Sequence, residues 1–177
     1  MDEIRKITFI SYLAAVAIAI YVVESFVPSP FPWLKFGFSH IITLFCILFA
    51  GVAPAFFVVV LRTVVGSLIA GKLFSPAFVL GLGGGLVATA VMATLVVGLK
   101  GRGLGVVGIS VSGAWVNNLV QVLLAYGVFI RHREIFSILP VFLLFGIASG
   151  FLNGIVVYYL SRYGERALKL KTRYFSR

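Results

Sequence analysis

The chain has 177 residues, 61% of them hydrophobic and 11% charged, with a mean hydropathy of +1.12. Soluble domains carry about 25% charged residues, so this composition excludes a water-covered globule and points to a multi-pass protein of the cell (inner, cytoplasmic) membrane. The net charge of +10 fits anionic lipid headgroups and a positive-inside bias better than nucleic acid, which is not expected as a partner.

Apolar runs long enough to approach the roughly 20 residues of a membrane-crossing helix occur at 7–27, 38–53, 54–71, 76–98, 105–130 and 138–161. They predict one membrane domain over 1–177, an all-α bundle of six transmembrane helices, followed by a basic tail at 162–177. The first run lacks a small-residue cleavage site and reads as a retained helix. Within it Ser11, Ala15 and Ala19 recur every four residues. Such a stripe lets another helix approach closely, either inside the bundle or on a partner subunit.

The stretch 24–40, ESFVPSPFPWLKFGFSH, interrupts the apolar pattern. Pro28, Pro30 and Pro32 fix φ and supply no N–H, so this piece is not helix interior. Between the second and third runs, Gly51 followed by Pro54 favours a tight turn, with the proline in the first turn of the next helix. Charge sets the orientation. With six crossings, one side collects Arg5, Lys6, Lys100, Arg102, Arg162, Arg166, Lys169, Lys171, Arg173 and Arg177, and the other Lys35, Lys72, Arg131 and Arg133. This excess places both termini in the cytoplasm and 24–40 outside.

A charge inside the bilayer costs about 3 kcal/mol on the insertion scale and is normally functional. Glu24, His40 and Arg62 qualify. At 1.5 Å per residue, Glu24 and His40 fall near the outer ends of their helices, whereas Arg62 lies roughly 13 Å deep. The fifth run adds Asn117, Asn118 and Gln121, with Asn117 and Gln121 one turn apart on a shared face. The fourth adds Gly81, Gly83, Gly84 and Gly85 at a similar depth. These residues outline a site under the outward loops: Arg62 as cationic anchor, Gln121, Asn117 and Asn118 as directing amides, Gly84 for close approach, and Trp33, Lys35 and His40 as contacts from the covering stretch. Glu24 reads equally as a ligand contact or as the counter-ion of Arg62. Trp33, Phe36, Phe38, Trp115 and Tyr126 are candidate apolar walls, and Asn153, deeper, a bridge between helices. The expected ligand is a small anionic or amphipathic molecule. No cofactor is expected, and no His/Cys spacing resembles a metal site.

Four motifs, E-S-x-x-P-x-P-x-P-W-x-K-x-G at 24–37, L-R-x-x-x-G at 61–66, the glycine run at 81–85 and S-G-A-W-x-N-N-x-x-Q at 112–121, resemble in order and spacing the bacterial Gx transporter family, also known as heptaprenyl diphosphate synthase component I. The resemblance covers nearly the whole chain. That family is similar to the substrate-binding S components of energy-coupling-factor transporters. The likeness implies six helices, cytoplasmic termini and an outward ligand site for vitamin-like uptake. It also implies docking through a small-residue face onto a transmembrane coupling subunit that works with two ATPases. Two departures stand out: His40 where the family often has Asn, and Asn117 where it often has His. The enzymatic name fits the residues poorly. One aspartate, Asp2, and four glutamates, Glu3, Glu24, Glu134 and Glu165, provide no clustered carboxylates for magnesium and diphosphate, and no phosphate-binding Gly-Lys-Ser/Thr loop is present. The chain is therefore expected not to be an enzyme. It reads first as a substrate-binding membrane subunit, and alternatively as an accessory subunit in isoprenoid or quinone biosynthesis or flavin-linked electron transfer.

Overall fold

The computed structural model describes residues 3–27, 37–99 and 103–167; Trp33, Lys35 and Phe36, and the tail beyond 167, lie outside them. The described residues are helical throughout their length apart from short turns. Six main helices are α1 (Glu3–Phe26), α2 (Ser39–Phe49), α3 (Val52–Ile69), α4 (Pro76–Leu99), α5 (Val106–Leu124) and α6 (Leu139–Ala167). Five of them are long and apolar enough to cross a membrane.

The exception corrects the expectation for 38–53. α2 has only 11 residues, about 16 Å of helix, which is half of a hydrocarbon core of about 30 Å. It starts and stops at glycines. Gly37 (φ 72°) precedes it, and Gly51 (φ 111°) follows it, a backbone region that side chains disfavour. Ala50 and Gly51 both donate their N–H to the Cys46 carbonyl, at 2.8 and 2.9 Å. The chain then reverses into α3, whose first turn accommodates Pro54 because N–H groups there have no intrahelical acceptor.

The other ends follow local chemistry. α3 closes in a Schellman motif, with Lys72 N–H donating to Ser67 O (2.8 Å), Gly71 N–H to Leu68 O (3.1 Å) and Gly71 at φ 65°. Ser75 caps α4 by accepting the Phe78 N–H on its hydroxyl (3.3 Å), and Pro76 takes the first helical position. α5 widens into a π-helical turn at Ala125–Ile130 and ends at Arg131 with φ 48°. α6 runs on to Ala167, so the first residues of the expected basic tail are helical.

The packing makes α2 central. It touches every other long helix, while α1, α3, α4, α5 and α6 are joined in that order around it, with no substantial contact between α1 and α6. Nine of its residues are buried, so its side chains fill the space that a ring of longer helices leaves inside. Leu44, Phe45, Ile47 and Leu48 meet Leu13, Ala17, Val58, Met92, Ile109 and Val157 in one apolar core. Helix directions alternate. Tyr21 near the end of α1 meets Ser67 near the end of α3, and Gly84 and Gly113 pair α4 with α5 in antiparallel fashion. The start of α1 and the end of α6 consequently lie at the same end of the bundle.

The tightest pairing is α5 against α6, and it is a small-residue seam. Gly146, Gly150 and Gly154, four residues apart, face Ala114, Val111 and Val107. A Cβ on Gly150 or Gly154 would stand 2.7 Å from a Cα atom of α5, so here the two backbones themselves are in contact. The stripe on α1 is divided differently. Ser11, Ala15 and Ala19 are exposed, while Ala14 and Ala17 are buried against the core.

Candidate functional site: a buried polar layer around Arg62

Above the apolar core, five of the six helices contribute polar side chains to one layer. α1 supplies Tyr21 and Glu24, α2 His40, α3 Arg62 and Ser67, α5 Asn117, Asn118 and Gln121, and α6 Asn153. All but His40, which is half-buried, are buried. α4 supplies no side chain at this level but gives way to its neighbours through glycine. A Cβ on Gly84 would lie 2.7 Å from Asn117 Oδ1 and 3.0 Å from the Asn117 carbonyl oxygen. Gly84 thus makes room for α5 rather than for open space.

Arg62 is 3% exposed. Its Nη2 meets His40 Nδ1 at 3.5 Å, whereas Nε and Nη1 have no hydrogen-bond partner among the described residues. This contact also corrects the depth of His40. Arg62 sits seven residues before the end of α3, about 10 Å along the axis, and α2 therefore begins inside the bundle rather than at its rim. Glu24 relates to Arg62 through charge rather than through a hydrogen bond. The two groups sense each other's charge, but Glu24 Oε1 accepts the Phe38 N–H at 2.7 Å and Oε2 has no partner. Glu24 thus ties the end of α1 to the start of α2 and is not hydrogen-bonded to the guanidinium.

The amides form a directed chain. Asn118 Nδ2 donates to the Phe142 carbonyl of α6 at 2.7 Å, and Asn117 Nδ2 donates to Asn118 Oδ1 at 3.2 Å. Asn117 Oδ1 and Gln121 Oε1 are left without partners. Asn153 bridges helices, donating from Nδ2 to the Gly37 carbonyl at 3.1 Å, with its Oδ1 also unpartnered. An unmade hydrogen bond on a buried group costs about 1–3 kcal/mol. The layer therefore gathers several buried polar atoms without protein partners among the described residues, a pattern that structural cores normally avoid.

The structure brings Glu24, His40, Arg62, Gly84, Asn117, Asn118 and Gln121 into this layer. Trp33 and Lys35 fall outside the described residues. Three proposed walls do not line it: Phe38 and Trp115 are exposed, and Tyr126 packs on Phe136 (ring centroids 5.0 Å apart) in the turn above. On the outside of the bundle, where α1 meets α2, an open groove of about 540 Å³ runs past Ala19, Ile20, Val23, Val27, Phe38 and Ile41 with a wholly apolar surface, and Glu24 borders it.

One contact in the layer is not anticipated by the sequence. Tyr21 and Ser67 hydroxyls are 3.0 Å apart, and the Tyr21 ring lies directly over Gly66. Tyr21 stands one turn before Glu24, and that shared helix face is the signal that points to it. Ser67→Ala should lower stability by about 1 kcal/mol, the ordinary worth of one such bond, read as a reduced midpoint of heat unfolding in detergent.

Among the described residues no group of three or more His, Cys, Asp or Glu side chains converges on a metal site. No curated protein and no solved structure matches the chain significantly. A family model does match, over residues 13–160, and this span contains every residue of the polar layer. The chain belongs to the heptaprenyl diphosphate synthase component I family.

Proposed function

We propose that the protein is the substrate-binding membrane subunit of a small-molecule uptake system, with Arg62 as the ligand anchor. The observation that carries this reading is a guanidinium 3% exposed with two nitrogens unpartnered, in a layer on which the helices converge. A buried guanidinium with two nitrogens left without hydrogen bonds is expensive, and ligand binding is the use that offsets the expense. The excess of basic residues toward both termini favours an orientation in which the layer is reached from outside. The exposed stripe Ser11, Ala15 and Ala19 favours a docked transmembrane partner that would couple to ATPases, because the chain itself has no nucleotide-binding motif. We read the chain as non-enzymatic on the same grounds, since its few carboxylates are scattered along the sequence.

A second reading, an accessory subunit for isoprenoid or quinone chemistry, draws support from the family's description and from the apolar groove between α1 and α2. Native mass spectrometry of the purified protein separates the two. A retained water-soluble molecule is the expected result. A retained prenyl lipid would transfer the case to the accessory role.

A further inference from the structure

We propose that the polar layer takes a small molecule of zero net charge, one with an acceptor edge for Arg62 and N–H or O–H donors for the surrounding carbonyls, and that it disfavours simple anions. This rests on the reading of Arg62 as ligand anchor and narrows the ligand's chemical class. Arg62 alone suggests an anion, but a census of the layer does not.

Charge comes first. Arg62 contributes one positive charge and Glu24 one negative. His40 contributes none, because its Nδ1 faces the Arg62 Nη2 at 3.5 Å. A guanidinium can only donate, so that imidazole nitrogen must be the acceptor and the ring proton sits on Nε2. Tyr21 is a phenol bonded to Ser67. The layer is thus balanced before any ligand arrives. A simple anion would leave it with a net negative charge in a low-dielectric interior, where an unbalanced ion is costly.

Hydrogen-bond capacity points the same way. The orientation of the amides is fixed by backbone. The Phe142 carbonyl can only accept, so Asn118 turns Nδ2 toward it and Oδ1 toward Asn117, which must then present its own Nδ2. Asn117 Oδ1 is consequently left over, and Asn153 Oδ1 likewise because its Nδ2 is held by Gly37 O. With Gln121 Oε1 and Glu24 Oε2, the layer presents unpartnered acceptors beside the unpartnered donors Arg62 Nε and Nη1, so it calls for a ligand with both donors and acceptors. An anion supplies only acceptors and would answer Arg62 alone. A zwitterion such as an amino acid, or a cyclic ureide, supplies an acceptor edge for the guanidinium and donors for Asn117 and Gln121.

The test uses the full chain in detergent with three probes at millimolar concentration: L-alanine (zwitterion), uracil (neutral ureide) and propionate (alanine without its ammonium). L-alanine or uracil should raise the unfolding midpoint while propionate does not. Propionate stabilising as well as either, or no probe stabilising, overturns the proposal. Glu24→Gln keeps an acceptor for the Phe38 N–H but makes the layer net positive, so the ratio of propionate to alanine affinity should rise at least about tenfold. An unchanged ratio also overturns it. If Glu24→Gln does not fold, the comparison on the parent chain decides. A retained molecule that is anionic, and that disappears in Arg62→Leu, would sink this inference while leaving Arg62 as the anchor.

Discussion

An Arg62→Leu variant is expected to insert and fold as the parent does, and to lose its ligand. Two nitrogens of the guanidinium, Nε and Nη1, are buried and unpartnered. A pair of hydrogen bonds to a charged group is worth about 3 kcal/mol or more, which corresponds to about 100-fold in affinity or greater. The one hydrogen bond removed is the long contact with His40 at 3.5 Å. Replacing a whole buried ion pair by apolar residues is often neutral, but removing one member leaves the other uncompensated at a cost of roughly 3–5 kcal/mol, and here Glu24 stays behind. Expected, then, is a protein that still inserts and folds, with a lowered unfolding midpoint, together with loss of the co-purified molecule in native mass spectrometry. A variant that retains the molecule undiminished removes Arg62 from its proposed role.

The second large effect is expected at Gly150. A methyl group there would lie 2.7 Å from Val111 Cα, 2.9 Å from Ala114 Cβ and 3.1 Å from the Ser110 carbonyl oxygen. Two of these three atoms are backbone, so relief requires α5 and α6 to move apart along their whole seam. Overpacking of this kind costs roughly 1–3 kcal/mol, occasionally more. Gly150→Ala should therefore fall near the top of that range, and Gly150→Leu should prevent assembly of the α5–α6 pair. Separation of the seam would also draw Asn118 away from the Phe142 carbonyl, disturbing the polar layer from a distance. Gly98 provides the control. It lies in α4, and a methyl group added there would meet nothing within 4 Å, so Gly98→Ala should stabilise by about 0.5–1 kcal/mol through helix propensity. Equal effects at the two positions, measured by unfolding in detergent, would contradict the packing argument.

Much of this layer is legible in the sequence because the bilayer makes polar residues conspicuous. Arg62, Glu24, Asn117 and Gln121 stand out in apolar runs, and helical rise places Arg62 and Gln121 at similar depth without any structure. What rise alone does not supply is how the helices are set against one another. Placing His40 near the outer rim assumes that every helix begins at the membrane surface, and α2 does not. Opposite charge suggests Glu24 as a counter-ion of Arg62, but not that its carboxylate also accepts the Phe38 N–H. The glycines of α6 carry a regular four-residue spacing as clear as that of Ser11, Ala15 and Ala19, yet spacing does not say which stripe is paired. The one on α6 is closed against α5, and the one on α1 is left exposed. Aromatic walls are the least legible, because a tryptophan in an apolar run faces lipid or protein with equal ease; Trp115 faces outward.

The short α2 has a consequence for how the protein is made. At 11 residues it is too brief to be held by lipid on both sides, and its lower end is a turn whose Ala50 and Gly51 are buried. Non-helical backbone inside the hydrocarbon is tolerated only where protein surrounds it, and this applies to the start of α2, where Glu24 takes the Phe38 N–H and Asn153 the Gly37 carbonyl. The helices that surround it include α4, α5 and α6, which emerge from the ribosome later. The burial of α2 is therefore complete only once those helices are in place. The segment that carries His40 to Arg62 is in this sense the last part of the bundle to reach its place, and the polar layer is completed only when the whole chain has been threaded.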